Sequence, residues 1–222
     1  MYMIYRLNAK GNCTSYGKKC DRIIYADKSD LPLTIMKSLK QNQNNKSSHK
    51  FCELVSFNRT KPYAIVIGAN PAKGLPDKFD RTNSRIAKKI YRQKTQSGEY
   101  QYGGYVLVNL YTILTSSVEK LLMYINNVED DSINDFSTIL MDFLLQSSND
   151  LYICWGPKMK MCDKHGKTLL QTSVLNLIIN IINNNKNIVY YSANSKGTHI
   201  HPCDSSFTQF IQLTSNNLNQ IK

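Results

Sequence analysis

Two carboxamides, two imidazoles and a thiol stand where this chain changes from apolar runs to polar turns. Asn70 lies in Gly68-Ala69-Asn70-Pro71, directly after the run YAIVIG (63–68), and Asn109 ends the run YVLVNL (105–110). Trp155, Gly156 and Pro157 follow or close LYICWG (151–156), and His199, His201 and Cys203 come shortly after NIVYYS (187–192). A carboxamide offers a donor and an acceptor together, and an imidazole can donate, accept or carry a proton near neutral pH. Such groups can read the edge of a planar polar ligand, hold a water and stabilise a departing anion. Each also has a structural use. Asn before Pro is a turn pair, Asn109 can cap a helix or satisfy a strand end, and the histidines can be loop residues. His199, His201 and Cys203 form an HxHxC run that would put three metal ligands on one face if extended, although no fourth ligand has matching spacing.

The elements that must position these residues follow from periodicity. The four runs are short, rich in β-branched and aromatic residues, and bounded by Gly, Asn or Pro, which predicts buried strands. Helical spacing appears between them: Ile86 with Ile90; Phe136, Ile139, Leu140, Phe143 and Leu144; and Val174, Leu177, Ile178, Ile181 and Ile182 within 168–182. Alternation of this kind predicts an α/β fold with a central four-stranded parallel sheet flanked by helices. Ligands of such sheets bind beyond the carboxyl ends of the strands, where the polar residues above fall. Residues 1–60 are mixed, with short apolar runs at 22–25 and 52–57 and a polar loop at 41–50. They are expected to form an extension packed on a domain of residues 61–222.

Of 222 residues, 28 are Lys or Arg against 16 Asp or Glu, a formal charge of +12. This favours a polyanionic partner, although a Lys- and Asn-rich surface can also serve solubility alone. Lys73, Lys158 and Lys160 are candidate phosphate contacts. The segment Arg85, Lys88, Lys89, Arg92, Lys94 and the cluster with Lys164 and Lys167 are either phosphate tracks or solvated faces. Six cysteines without a CxxC pair indicate neither a zinc ribbon nor a disulfide scaffold. With no leader-like start and no run near the ~20 apolar residues of a membrane helix, a cytoplasmic monomer is expected.

In chain order, these segments resemble the uracil-DNA glycosylase superfamily, especially its mismatch-specific uracil/thymine branch. They also resemble an uncharacterised bacterial and phage family with Asn-Pro, Asp-x-Thr and Asn-Leu motifs. Gly68-Ala69-Asn70-Pro71 is similar to the Gly-x-Asn-Pro water-activating motif, 106–115 to the strand ending in a base-reading Asn, Cys154-Trp155-Gly156 to the apolar-strand-then-Gly segment, and 201–206 to the His-Pro-Ser loop. Asp80-Arg81-Thr82 matches the Asp-x-Thr of the uncharacterised family. The resemblance implies a glycosylase fold with no cofactor and no metal. Asn70 would hold the attacking water, His201 would donate to the departing base oxygen, and Asn109 would read the flipped base beside Gly68. Phe79 is the nearest residue by spacing for stacking on that base, and Asp80, Trp155 and His199 are additional candidates.

Two departures modify the expectation. Ala72 stands where strict uracil enzymes carry a Tyr against the base's C5 side, so the implied substrate is a 5-substituted or otherwise modified pyrimidine in DNA, excised to leave an abasic site. Cys203 replaces the usual Ser after His-Pro, and the apolar wedge of that loop is missing, with Phe207 the nearest replacement. A carboxamide at the water position cannot accept a proton at neutral pH, which predicts slow turnover. Three other readings fit the same residues: a non-catalytic nucleic-acid-binding or modified-base-sensing module, an enzyme of free nucleosides or nucleotides, and a metalloenzyme built on the HxHxC run. Repair of DNA and defence against phage DNA are both settings for such excision.

Overall fold

Apolar residues in unbroken rather than alternating runs must be covered on both faces, and the sheet of this protein is covered in that way. The structure is a computed structural model that describes residues 21–25, 52–71, 80–111, 113, 115, 117–127, 149–184 and 187–221. The strands are β1 (Asp21–Tyr25), β2 (Cys52–Ser56), β3 (Tyr63–Gly68), β4 (Gly104–Asn109), β5 (Leu151–Ile153), β6 (Val189–Ala193) and β7 (Gln209–Gln212). The helices are α1 (Arg81–Tyr91), α2 (Val118–Asn127) and α3 (Thr172–Asn183), with 3₁₀ turns at Pro157–Lys160 and Ser215–Gln220. The expected helix around Phe136 lies outside the described residues.

The fold is α/β, and its sheet is mixed, with strand order β1-β2-β4-β3-β5-β6-β7. β3 runs parallel to β4 and β5, and β5 runs parallel to β6. β1 and β2 join antiparallel at the β4 side, and β7 joins antiparallel to β6. The four apolar runs therefore form the middle of a seven-stranded sheet among the described residues, not a four-stranded sheet. β7 escaped the sequence reading because its residues, QFIQ, are only partly buried or exposed. β1 and β2 come from the segment read as an extension and pair within the same sheet.

Alternate residues of β3 face two separate cores. Ala64 and Val66, with Tyr105, Leu107, Tyr152 and Cys154, pack against Ile86, Ala87 and Ile90 of α1. Ile65 and Ile67, with Val108, Leu151 and Ile153, pack against Leu121 of α2 and Val174, Leu177, Ile178 and Ile181 of α3. Helix α3 starts at Thr172, four residues after the expected start. Residues 168–170 are instead pinned to the preceding loop: Thr168 bridges to Cys162, and the N–H groups of Leu169 and Leu170 donate to Met161 O and Met159 O. Strand β5 likewise stops at Ile153. Cys154 N still donates to Ile67 O, but Gly156 at φ 75° turns the chain out of the sheet.

Candidate active site

After β3 the chain enters α1 on one face of the sheet, and after β4 it enters α2 on the other, so the two exits diverge. Gly68 and Asn109, the last residues of these strands, are register partners at that divergence. Here a cavity of about 480 Å³ opens, lined among others by Gly68, Asn70, Asp80, Asn109, Trp155, Lys158, His201 and Cys203. A volume of this size is in the usual range for small-molecule sites, roughly 300–1,000 Å³.

Asn109 is 3% exposed, and its Nδ2 has no hydrogen-bond partner among the described residues. A buried carboxamide left unpaired costs about 1–3 kcal/mol, a cost a ligand can remove by supplying the partner. The side chain fits because residue 68 is glycine: a Cβ there would overlap Asn109 Oδ1. The backbone keeps the two exits together a little further, with Leu110 N donating to Gly68 O and Tyr111 N to Ala69 O, both at 2.9 Å.

Asn70 is oriented by a residue the sequence reading missed. Its Nδ2 donates to Thr115 Oγ1 at 2.7 Å and to Thr115 O at 3.1 Å. Because Thr115 O can only accept, the amide nitrogen must point that way. The Thr115 hydroxyl passes its own proton to Ser117 O at 3.0 Å, so its lone pair is the group facing Asn70. The carbonyl end of Asn70 is then the end available to a water.

His201 sits against Gly156 so closely that a Cβ at 156 would stand 2.8 Å from His201 Cβ and 3.0 Å from His201 N. His201 Nδ1 accepts the Cys203 N–H at 3.2 Å and lies 2.9 Å from Cys203 Sγ. With Nδ1 accepting, the proton of the neutral ring is on Nε2, which makes His201 a donor at its far edge. Burial lowers the His201 pKa, and Lys158 adds to this, while Asp80 and Asp204 oppose it. The loop is held from α1: Arg85 Nη1 donates to Pro202 O at 3.2 Å and also to Asp204 O, and Lys89 Nζ donates to Thr208 O.

Several expected roles change. Arg85 and Lys89 are occupied by loop carbonyls rather than lying open as a phosphate track, because the loop after β6 folds over the α1 face. His199 does not line the cavity: it is 4% exposed and packs edge-on against Trp155 and Tyr191. Burial pushes its pKa down to about 4. The HxHxC run is not extended, since Asp204 N donates to His201 O in a turn. Among the described residues, no three His, Cys, Asp or Glu side chains are grouped to hold a metal ion. Phe207 is buried against Phe210, centroids 5.3 Å apart, and is not available as a wedge in this conformation.

Asp80 lines the cavity and is the N-cap of α1, its Oδ1 accepting Asn83 N at 2.8 Å and its Oδ2 accepting Asn83 Nδ2 at 3.1 Å. Asn83 Nδ2 also reaches the buried Glu53 Oε2 at 3.3 Å, and Asn83 Oδ1 accepts from Tyr105 Oη at 3.2 Å. The Asp80-x-x-Asn83 spacing before Ile86 is a helix-start signal that could have revealed this cap. Lys158 lines the cavity and pairs with Glu119 at 2.5 Å, whereas Lys160 is exposed and outside it. Lys164 Nζ donates to Asn126 O at 2.7 Å. Ala72, Lys73 and Phe79 lie outside the described residues.

No curated protein and no solved structure matches the chain. A family model described as a protein of unknown function, DUF1643, matches residues 53–203. That span runs from β2 through every element around the cavity to Cys203, well over half of the chain. The protein therefore belongs to the DUF1643 family.

Proposed function

We propose that the chain is a DNA glycosylase, with a fold of the uracil-DNA glycosylase kind, that hydrolyses the N-glycosidic bond of a flipped, 5-substituted or modified pyrimidine. The observation that carries this reading is the meeting of Asn70, Asn109 and His201 at one cavity, with the buried Asn109 amide unpaired among the described residues. A flipped pyrimidine supplies the donor and acceptor edge that this carboxamide lacks. Asn70, with its amide nitrogen tied to Thr115, presents its carbonyl to a water. His201, with Nδ1 accepting, presents Nε2–H to the base oxygen on which negative charge develops. The net charge of +12 suits a DNA partner.

The test is to incubate the protein with single- and double-stranded oligonucleotides carrying uracil, thymine opposite guanine, 5-hydroxymethyluracil or 5-hydroxymethylcytosine, and to score abasic sites by alkaline cleavage. Release of a 5-substituted base faster than uracil is expected, with Asn70→Ala and His201→Ala failing to turn over but still binding DNA. Strict uracil preference would remove the size argument, and no release from any oligonucleotide would remove the DNA glycosylase.

A second reading, hydrolysis of free nucleosides, is favoured by one observation. Arg85, Lys89 and Lys158, three cations near the cavity or its loop, are already engaged within the protein. Under that reading duplex competitor leaves activity unchanged.

A further inference from the structure

We propose that Cys203 is a catalytic nucleophile of this cavity, with His201 as its base, and that base release proceeds through a covalent bond between Cys203 Sγ and C1′ of the deoxyribose. The proposal rests on the glycosylase reading above. It is motivated by a thiol that lines the same cavity as Asn70 and Asn109 and lies 2.9 Å from an imidazole nitrogen that is an acceptor. The cavity carries an independent sign of a ligand in the 3%-exposed Asn109, whose Nδ2 is unpartnered among the described residues. Lys158 lines the cavity too.

The arrangement also answers a chemical difficulty. Asn70 cannot take a proton from a water, so direct hydrolysis lacks a base at that position. A thiol that gives its proton to a neighbouring imidazole needs no such base. In the first step the Cys203 proton moves to His201 Nδ1, the sulfur electron pair forms the S–C1′ bond, and the C1′–N bond breaks. The base leaves with that electron pair and receives the proton from His201 Nε2. In the second step the water held by Asn70 adds to C1′ and gives one proton to His201 Nε2. The C1′–S bond breaks in the same displacement, its electron pair returning to sulfur, and the sulfur regains its proton from Nδ1. The net reaction is hydrolysis, with the imidazole returned to its starting tautomer.

The experiment uses the full chain with the same oligonucleotides, quenched in SDS and run on a denaturing gel, with mass spectrometry of the peptide containing Cys203. A deoxyribose-linked adduct on Cys203 is expected in wild type, rising about tenfold or more in Asn70→Ala, where the second step is impaired. Cys203→Ser should fold normally, give no adduct and lose about tenfold or more in base release. Wild-type release rates in Cys203→Ser without adduct in either wild type or Asn70→Ala overturn the proposal while leaving the glycosylase reading intact. An adduct on another residue overturns it as well, and neither release nor adduct from any oligonucleotide overturns both.

A second measurement is independent of DNA. Iodoacetamide should alkylate Cys203 about tenfold faster than the exposed Cys162, and His201→Ala should abolish the difference. Equal rates in wild type count against an activated thiol.

Discussion

Gly156 leaves the room that His201 occupies, since a Cβ at 156 would stand 2.8 Å from His201 Cβ and 3.0 Å from His201 N, so the position of the imidazole depends on the absence of a side chain on the strand exit opposite it. Gly156 also has φ 75°, a conformation that costs other residues about 1–3 kcal/mol. Gly156→Ala should therefore lower the melting temperature and displace the His201 loop together. Gly68→Ala differs, because the atom in the way is the end of the Asn109 side chain rather than backbone. It should melt near wild type and lose ligand binding, and thermal melts paired with binding measurements separate the two cases.

Thr115 holds Asn70 through its hydroxyl and its carbonyl. Thr115→Val removes only the hydroxyl acceptor, and should lower base release about tenfold through misorientation of the carboxamide, with little change in the affinity for substrate. Thr115→Ser should restore the rate. Steady-state kinetics that show a KM effect alone would mean that Asn70 orientation does not limit the chemistry.

His199 makes stability depend on pH in a defined window. Its folded pKa of about 4 lies below the ordinary 6.5, so between these values the unfolded chain binds a proton that the folded chain refuses. Stability should be level above pH 6.5, fall as pH drops toward 4, and change by about 3 kcal/mol at most across the window. His199→Phe should flatten this part of the profile in denaturant titrations at several pH values. The His201 pKa is also lowered, chiefly by burial, so under the proposed function base release should hold through neutral pH and fall on the acid side as His201 protonates.

Lys158 is held by Glu119, whose pKa the pair lowers to about 2, so under the proposed function it would reach a DNA phosphate only by leaving that partner. Glu119→Gln should free the ammonium and tighten DNA binding, and should steepen the dependence of log K on log salt by about one ion. Unchanged affinity and slope would place Lys158 outside the DNA interface. Arg85→Lys should retain one loop contact and part of the activity, and Arg85→Ala neither, with the His201 imidazole resonances reporting the loop directly.

The buried strands were legible because unbroken apolar runs such as YAIVIG have few alternatives once bounded by Gly and Asn. The Ile86 and Ile90 face of α1 was legible for the same reason. Asn70, Asn109 and His201 stood out as polar residues at strand exits, and the fold brings those three to one cavity. Thr115 was invisible because its role depends on a hydrogen bond across 45 residues of chain. Lys158 and Glu119 meet across 39 residues, and Arg85 meets the Asp204 carbonyl across 119.

By itself, the sequence determined the alternation of elements and the residue types at the strand ends, since both follow from local periodicity and side-chain chemistry. Only the tertiary structure decided that His199 is buried away from the cavity while His201 and Cys203 line it. It also decided that Arg85 and Lys89 are tied to a loop instead of lying open. The physical reason is that burial and pairing depend on which segments the sheet order brings side by side, and a single exit glycine such as Gly156 can redirect that choice.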